Sequence, residues 1–223
     1  AAIRVLRAAG YDVFAPTPAA GRPYCCGRTY LSAGMVDKAR AEAERLVTAL
    51  YPLARSGVRI VGLEPSCTLA LRDEVPAQLG TAQADAVAEA TLTFAELIEA
   101  DRPDLPVPAA ASRRPVKLHG HCHQKAFDLV KPAEAVLRDI AGAEVEVIET
   151  SCCGMAGAFG YGRDTYDVSI HMAEASLLPA VRAAPDDAAI VADGTSCRCQ
   201  IDDGTGREAV HLARHLDRLI SGS

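Results

Sequence analysis

Residues 136–154, VLRDIAGAEVEVIETSCCG, decide the fold because the chain holds them in two versions. The earlier version reads VLRAAGYDVFA over residues 5–15 and YCCG over residues 24–27. Each runs from a helical pattern through a short apolar stretch to a Cys-Cys-Gly triplet. A further pair follows: VRIVGLEPSC at 58–67 matches AAIVADGTSC at 188–197. Val5 corresponds to Val136, Cys25 to Cys152 and Cys67 to Cys197, at offsets of 131, 127 and 130 residues. A period this long is not that of a solenoid repeat. It predicts two related α/β units, with small insertions such as the Pro-rich PTPAAGRP (16–23) before Cys25.

Working outward, short apolar runs predict strands at Asp12–Ala15, Val58–Leu63, Val116–His119, Val145–Ile148 and Ala189–Ala192. Short runs rich in Val and Ile suit buried parallel strands. Helical patterns separate them. In Ser32–Leu50 the residues Val36, Ala39, Ala43, Leu46, Val47 and Leu50 mark one face, and Ser32 reads as an N-cap. The expected fold is α/β: two pseudo-repeated three-layer units with short, mainly parallel sheets. The first repeat is expected at 1–105 and the second at 115–223, joined by the Pro- and Ala-rich stretch 101–115. The second repeat opens on PVKLHGHCH, a strand leading to Cys122. The matching position in the first repeat would precede Ala1, so that unit is expected to lack its N-terminal strand. Ala1–Gly10 reads as the middle of a helix and there is no initiator Met, which predicts a piece of a longer polypeptide.

Of the 223 residues, 49% are apolar, enough for a substantial core, and only 4% are aromatic. The net charge of −6 is spread without a basic stripe, which argues against a nucleic-acid partner. No apolar run reaches the roughly 18–20 residues of a membrane span, and no secretory signal is visible. There is no Walker-type loop, nucleophile elbow or dinucleotide fingerprint. The glycine-rich GMAGAFGYG (154–162) lacks the strand-to-helix context of a nucleotide loop.

The eight cysteines carry the chemistry. Adjacent cysteines are poor disulfide partners, since a trans peptide sets their Cα atoms only about 3.8 Å apart. In a reducing compartment, clustered thiols point to metal or redox work. Cys122, the pair Cys152–Cys153, and the pair Cys197 and Cys199 each follow a predicted strand, so five thiols can converge at the C-terminal edge of one sheet. Five exceed the four ligands of zinc or an ordinary cubane. Adjacent sulfurs suit a cluster of several metals, and the glycines after Cys153 would let backbone N–H groups approach its sulfides. Lys125, Arg163 and Arg198 could offset thiolate charge. Zinc and plain buried cysteines are the competing readings. The first repeat keeps Cys25, Cys26 and Cys67, which could hold zinc or remain reduced, with Leu69 in the place of Cys199. His119, His121 and His123 flank Cys122 and read as pocket lining; His171, His211 and His215 read as surface or satisfied core positions.

This doubled pattern resembles the cysteine-rich CCG-domain family. That family includes the CCG-bearing B component of heterodisulfide reductase, the iron–sulfur component of glycolate oxidase, the C component of anaerobic glycerol-3-phosphate dehydrogenase and lactate-utilisation proteins. HGHCHQKA, SCCGMAGAFGYGRDTYDVS and DGTSCRCQI are similar to the C-terminal part of fused flavin dehydrogenases for D-lactate, glycolate or a related 2-hydroxy acid. The resemblance implies an iron–sulfur electron-transfer module of an oxidoreductase, inactive on substrate by itself. It implies a 4Fe–4S cluster, non-cubane in the heterodisulfide reductase relatives, on Cys122, Cys152, Cys153, Cys197 and Cys199. FAD would lie in another domain or partner, beside a ferredoxin-like segment, with a quinone or carrier as acceptor. It further implies a cytoplasmic place, at most peripheral to the inner face of the membrane. The family motif ends in two cysteines separated by two residues, whereas only Arg198 separates Cys197 from Cys199. A heterodisulfide reductase-like thiol–disulfide enzyme and a non-catalytic zinc-binding or docking module are the alternatives.

Overall fold

The computed structural model describes residues 1–18, 21–108 and 114–222. The expected linker 101–115 therefore lies partly outside the described residues. The chain forms two compact units, one of residues 14–97, the other of residues 1–13 together with 98–223. The change of unit falls inside a helix, ahead of the Pro-rich stretch, and the N-terminal helix packs with the second repeat rather than the first.

Helix α1 (Ala2–Ala8) is followed in the smaller unit by α2 (Arg28–Ser32), α3 (Val36–Arg55), β1 (Ile60–Gly62), α4 (Pro65–Arg72), α5 (Glu74–Leu79), α6 (Ala82–Ala90) and β2 (Thr91–Thr93). Helix α7 (Phe94–Asp101) leads into the larger unit. Strands β1 and β2 pair in parallel, Ile60 opposite Thr91. The apolar face read from the sequence does build the core of this unit: Ala43, Leu46, Val47 and Leu50 pack with Leu71, Val75, Ala84 and Val87. Ser32, however, ends α2 instead of capping α3, because Gly34 turns the backbone to φ +72° between them. Left-handed backbone is open to glycine and breaks the helix there.

Asp12–Ala15 forms no strand. Its counterpart in the second repeat is an edge strand held by a single neighbour. Among the described residues no strand lies beside Asp12–Ala15 in that neighbour's place, so the segment has no backbone to pair with.

The larger unit continues with β3 (Pro115–His119), α8 (Cys122–Ala126) and α9 (Val130–Ala135), which runs into a π-turn at Val136–Ile140. Then come β4 (Glu144–Val147), α10 (Tyr166–Glu174), α11 (Leu177–Ala183), β5 (Ala189–Ala192), α12 (Thr195–Thr205), β6 (Ala209–Val210) and α13 (Leu212–Ser221). Its sheet has the order β4-β3-β5-β6, all parallel. Ile190 and Ala192 of β5 join Ala173, Leu177, Leu178, Val181, Ile201 and Cys197 in one core cluster. Val191, pointing the other way, is equally buried where α13 meets β5. Helices thus cover both faces of β5. Strands β2 and β6 are too short to leave a period in the sequence.

Helix α1 packs on α13, where Arg4 Nε donates to Asp217 Oδ1 at 2.7 Å. Helix α13 also buries His215, and burial first, then the charge of Arg218, push its imidazole from 6.5 down to about 4. Between those values the unfolded chain takes up a proton that the folded chain refuses. The stabilisation is complete above pH 6.5 and is lost as the pH falls towards 4, by about 3 kcal/mol. Urea midpoints at pH 7 and pH 4.5 are expected to fall far apart in the wild type and to draw together in His215→Gln.

Candidate metal centre

The order β4-β3-β5 puts three loops side by side at the C-terminal edge of the sheet. Cys122 begins α8 just after β3, Cys152 and Cys153 follow β4, and Cys197 lies in the first turn of α12 after β5. Neighbouring parallel strands lie about 4.8 Å apart, so topology alone gathers these thiols. Cys153 and Cys197 are buried, Cys152 is half-buried and Cys122 opens to solvent.

The Cys-Cys-Gly triplet has one geometry in both repeats. Gly27 and Gly154 adopt φ of +78° and +85°. Each turns its N–H back onto the first cysteine, Gly27 to Cys25 Sγ at 3.4 Å and Gly154 to Cys152 Sγ at 3.3 Å. A side chain is excluded as well: a Cβ at Gly27 would meet the carbonyl oxygen of Ala39 at 2.7 Å, and one at Gly154 that of Ser169 at 2.1 Å. Gln200 Nε2 of α12 donates to the same Ser169, 3.1 Å from its Oγ, so the turn is braced from behind.

The four sulfurs form a row. Cys122 acts electrostatically on Cys152, Cys152 on Cys153, and Cys153 on Cys197. The neighbouring Cys122 thiol holds the Cys152 thiol down at about 2, and the Cys153 thiol holds Cys197 at about 5, with His119 and His121 adding to the effect. Cys122 and Cys153 are pushed up. Lys125 stands near all four sulfurs; burial lowers its ammonium and the thiolates work against that. Its Nζ also donates to the carbonyls of Thr150 and, at 3.1 Å, Ser151, which ties α8 to the loop before the triplet. Arg198 instead donates to the carbonyls of Ala192 and Asp193 at the end of β5.

The donor set fits an iron–sulfur group. Among the described residues no three thiol sulfurs lie within 4.8 Å of one another. A single tetrahedral zinc, with bonds of about 2.3 Å, would draw its sulfurs to about 3.8 Å. An extended row of thiolates suits several metal atoms better than one. His119 gives a second sign: it is 1% exposed, lies beside Cys197, and neither ring nitrogen has a hydrogen-bond partner of ordinary geometry. A buried imidazole without partners is costly unless something else occupies its surroundings.

Sequence reading missed the frame that aligns the row. Buried Asp193, at the end of β5, accepts from Gln124 Nε2 and from the Leu212 N–H, both at 3.0 Å. Gln124 Oε1 in turn accepts from the His121 N–H at 3.0 Å, closing a capping box at the start of α8. This path locks Cys122 to the strand that presents Cys197. Its one sequence signal is an acidic residue at the end of an apolar strand. Asp193→Ala leaves two buried donors unpaired and is expected to lower stability by about 3 kcal/mol, measured as a shift in denaturant midpoint.

Cys199 does not join the row. Two residues on from Cys197 along a helix is a rotation of about 200°, and Cys199 meets the exposed Tyr161, whose phenol it raises. The position two residues clear of Cys197 on the N-terminal side is Gly194. A Cβ there would stand 3.2 Å from Cys197 Sγ and 2.4 Å from His121 Cδ2. Where a two-residue spacer would place a second cysteine on the site, this chain has glycine and the His121 ring fills the space.

The smaller unit arranges its thiols differently. Cys26 Sγ lies 3.0 Å from Cys67 Sγ, while Cys25 Sγ takes the Gly27 N–H. The bond from Cys67 brings Cys26 down to about 6, and Cys67 is pushed up. Arg45 of α3 holds the approach to the triplet, donating to Glu42 Oε2 at 2.8 Å, to the Arg22 carbonyl at 3.1 Å and to the Pro23 carbonyl.

Among the described residues no helix is long and apolar enough to cross a membrane. Residues 116–202 match the cysteine-rich CCG domain. The chain is 28% identical over 227 residues to the C component of anaerobic glycerol-3-phosphate dehydrogenase from Escherichia coli K12, across 98% of this chain and 54% of that protein. It is 29% identical over 189 residues to D-2-hydroxyglutarate dehydrogenase of the same strain, across 84% of this chain and 18% of that protein. The D-2-hydroxyglutarate dehydrogenase of Pseudomonas putida is 29% identical over 205 residues, 91% of this chain and 19% of that protein. The chain thus spans about half the length of the first relative and about a fifth of the others. The second Cys-Cys-Gly turn and the thiols at the sheet edge of the larger unit fall within residues 116–202, the stretch of this chain that matches the cysteine-rich CCG domain.

Proposed function

We propose that the second repeat holds an iron–sulfur cluster on Cys122, Cys152, Cys153 and Cys197 and relays electrons for a flavin-dependent dehydrogenase of D-lactate, glycolate or a related 2-hydroxy acid. The observation that carries this reading is the row of four thiols at the end of three adjacent strands. The activities of the relatives support the dehydrogenase context. A bound cluster would supply one-electron chemistry, with the flavin doing the hydride chemistry elsewhere. The chain's own residues hold the thiolates, keep Cys153 and Cys197 from water, and offset negative charge through Lys125. FAD belongs to a domain or partner outside these residues, beside a ferredoxin-like segment, and the acceptor is a quinone or carrier. The module would work on the cytoplasmic side, peripheral to the membrane at most.

The test uses the chain reconstituted with iron and sulfide under anaerobic conditions. Photoreduced flavin mononucleotide is expected to bleach its visible band, and a soluble quinone to restore it. D-lactate, glycolate or D-2-hydroxyglutarate alone should leave the band unchanged. Turnover of a disulfide with reduced viologen would instead favour the thiol–disulfide enzyme, and a band inert to reduced flavin would defeat the relay.

A further inference from the structure

We propose that Cys26 and Cys67 of the first repeat form a reversible dithiol–disulfide couple, a redox site separate from the thiol row of the second repeat. The two sulfurs lie 3.0 Å apart although the residues are 41 positions apart in sequence. That is about 1 Å from bonding distance. It is closer than two sulfurs sit around a shared tetrahedral zinc, about 3.8 Å. Cys25, which zinc would need, points its sulfur back to Gly27, and no three thiol sulfurs among the described residues cluster within 4.8 Å. The unit of residues 14–97 has no further cysteine.

Burial divides the roles. Cys67 is exposed, whereas its counterpart Cys197 is buried. Cys26 is 8% exposed and sits behind Cys67. This is an accessible entry sulfur with a shielded resolving sulfur against it. Cys67 passes its proton to the Cys26 thiolate 3.0 Å away and attacks a low-molecular-weight disulfide, whose departing thiolate takes that proton from Cys26. The Cys26 thiolate then attacks Cys67 Sγ and releases the second. The protein loses two electrons and two protons, and the small disulfide leaves as two thiols. An excess of small thiol or dithiol runs the exchange backwards.

The whole chain, freed of metal and fully reduced, is treated with oxidised glutathione, quenched with N-ethylmaleimide and digested with trypsin without reduction. The expected result is a mass loss of two hydrogens with a link between peptides Ala8–Arg28 and Ile60–Arg72, reversed by dithiothreitol. Cys25→Ser should keep the link, and Cys26→Ser and Cys67→Ser should lose it. The wild-type map reads the outcome even where a variant folds poorly. A link from Cys25 to Cys67, glutathione left on Cys67 with Cys26 alkylated, or one zinc per chain released by Cys25→Ser would each overturn the proposal.

Discussion

Gly154→Ala is expected to destabilise the larger unit by about 3 kcal/mol or more and to abolish cluster assembly. Two costs add. The residue sits at φ +85°, where a side chain brings about 1–2 kcal/mol of strain. Its Cβ would also stand 2.1 Å from the Ser169 carbonyl oxygen, a backbone atom that no rotamer change can move. Relief requires the turn to pull away from α10, which breaks the Gly154 N–H contact to Cys152 and opens the row between Cys152 and Cys153. The measurement is a denaturant midpoint beside iron content after reconstitution. Gly157 is the control: it has φ +70° but nothing within 4 Å of a Cβ. Gly157→Ala should suffer the strain alone and keep its iron. Equal losses at both glycines would show that close approach plays no part.

The second large effect separates two cysteines on neighbouring elements. Cys153→Ser removes a buried interior member of the row, flanked by Cys152 and Cys197, and is expected to cost nearly all bound iron. Cys199→Ser removes a thiol that faces Tyr161 and is expected to leave iron content close to that of the wild type. Circular dichroism on both proteins distinguishes a lost ligand from a lost fold. If Cys199→Ser empties the site while Cys153→Ser does not, the row has been read in the wrong order.

Much of this architecture is written in local pattern. The repeat predicted two related units, and β3, β4 and β5 stand within a residue or so of their apolar runs. Those runs are buried parallel strands, where hydrophobicity is continuous and boundaries are sharp. Asp12–Ala15 has the same composition but forms no strand, because pairing depends on a partner that composition does not reveal. The break at Gly34 was hidden within a good helical face, since periodicity reports burial and not backbone direction. The docking of α1 onto α13 was invisible for the same reason: Val5 and Leu6 announce a buried face without naming what buries it.

In the candidate site, convergence at the strand ends followed from topology, and Cys122, Cys152, Cys153 and Cys197 meet there. Cys199 shows the limit of counting cysteines, because two residues on a helix point to nearly opposite sides. Asp193, Gln124 and Gly194 act through one hydrogen-bond path and one void, and neither leaves a motif.

The most direct test is iron, zinc and acid-labile sulfide analysis, with electron paramagnetic resonance, on the wild-type chain reconstituted without oxygen. A cluster in the second repeat predicts several irons per chain with matching sulfide, a visible band and a paramagnetic signal in one redox state. Zinc alone, or no metal under those conditions, would contradict it and leave a structural or docking module.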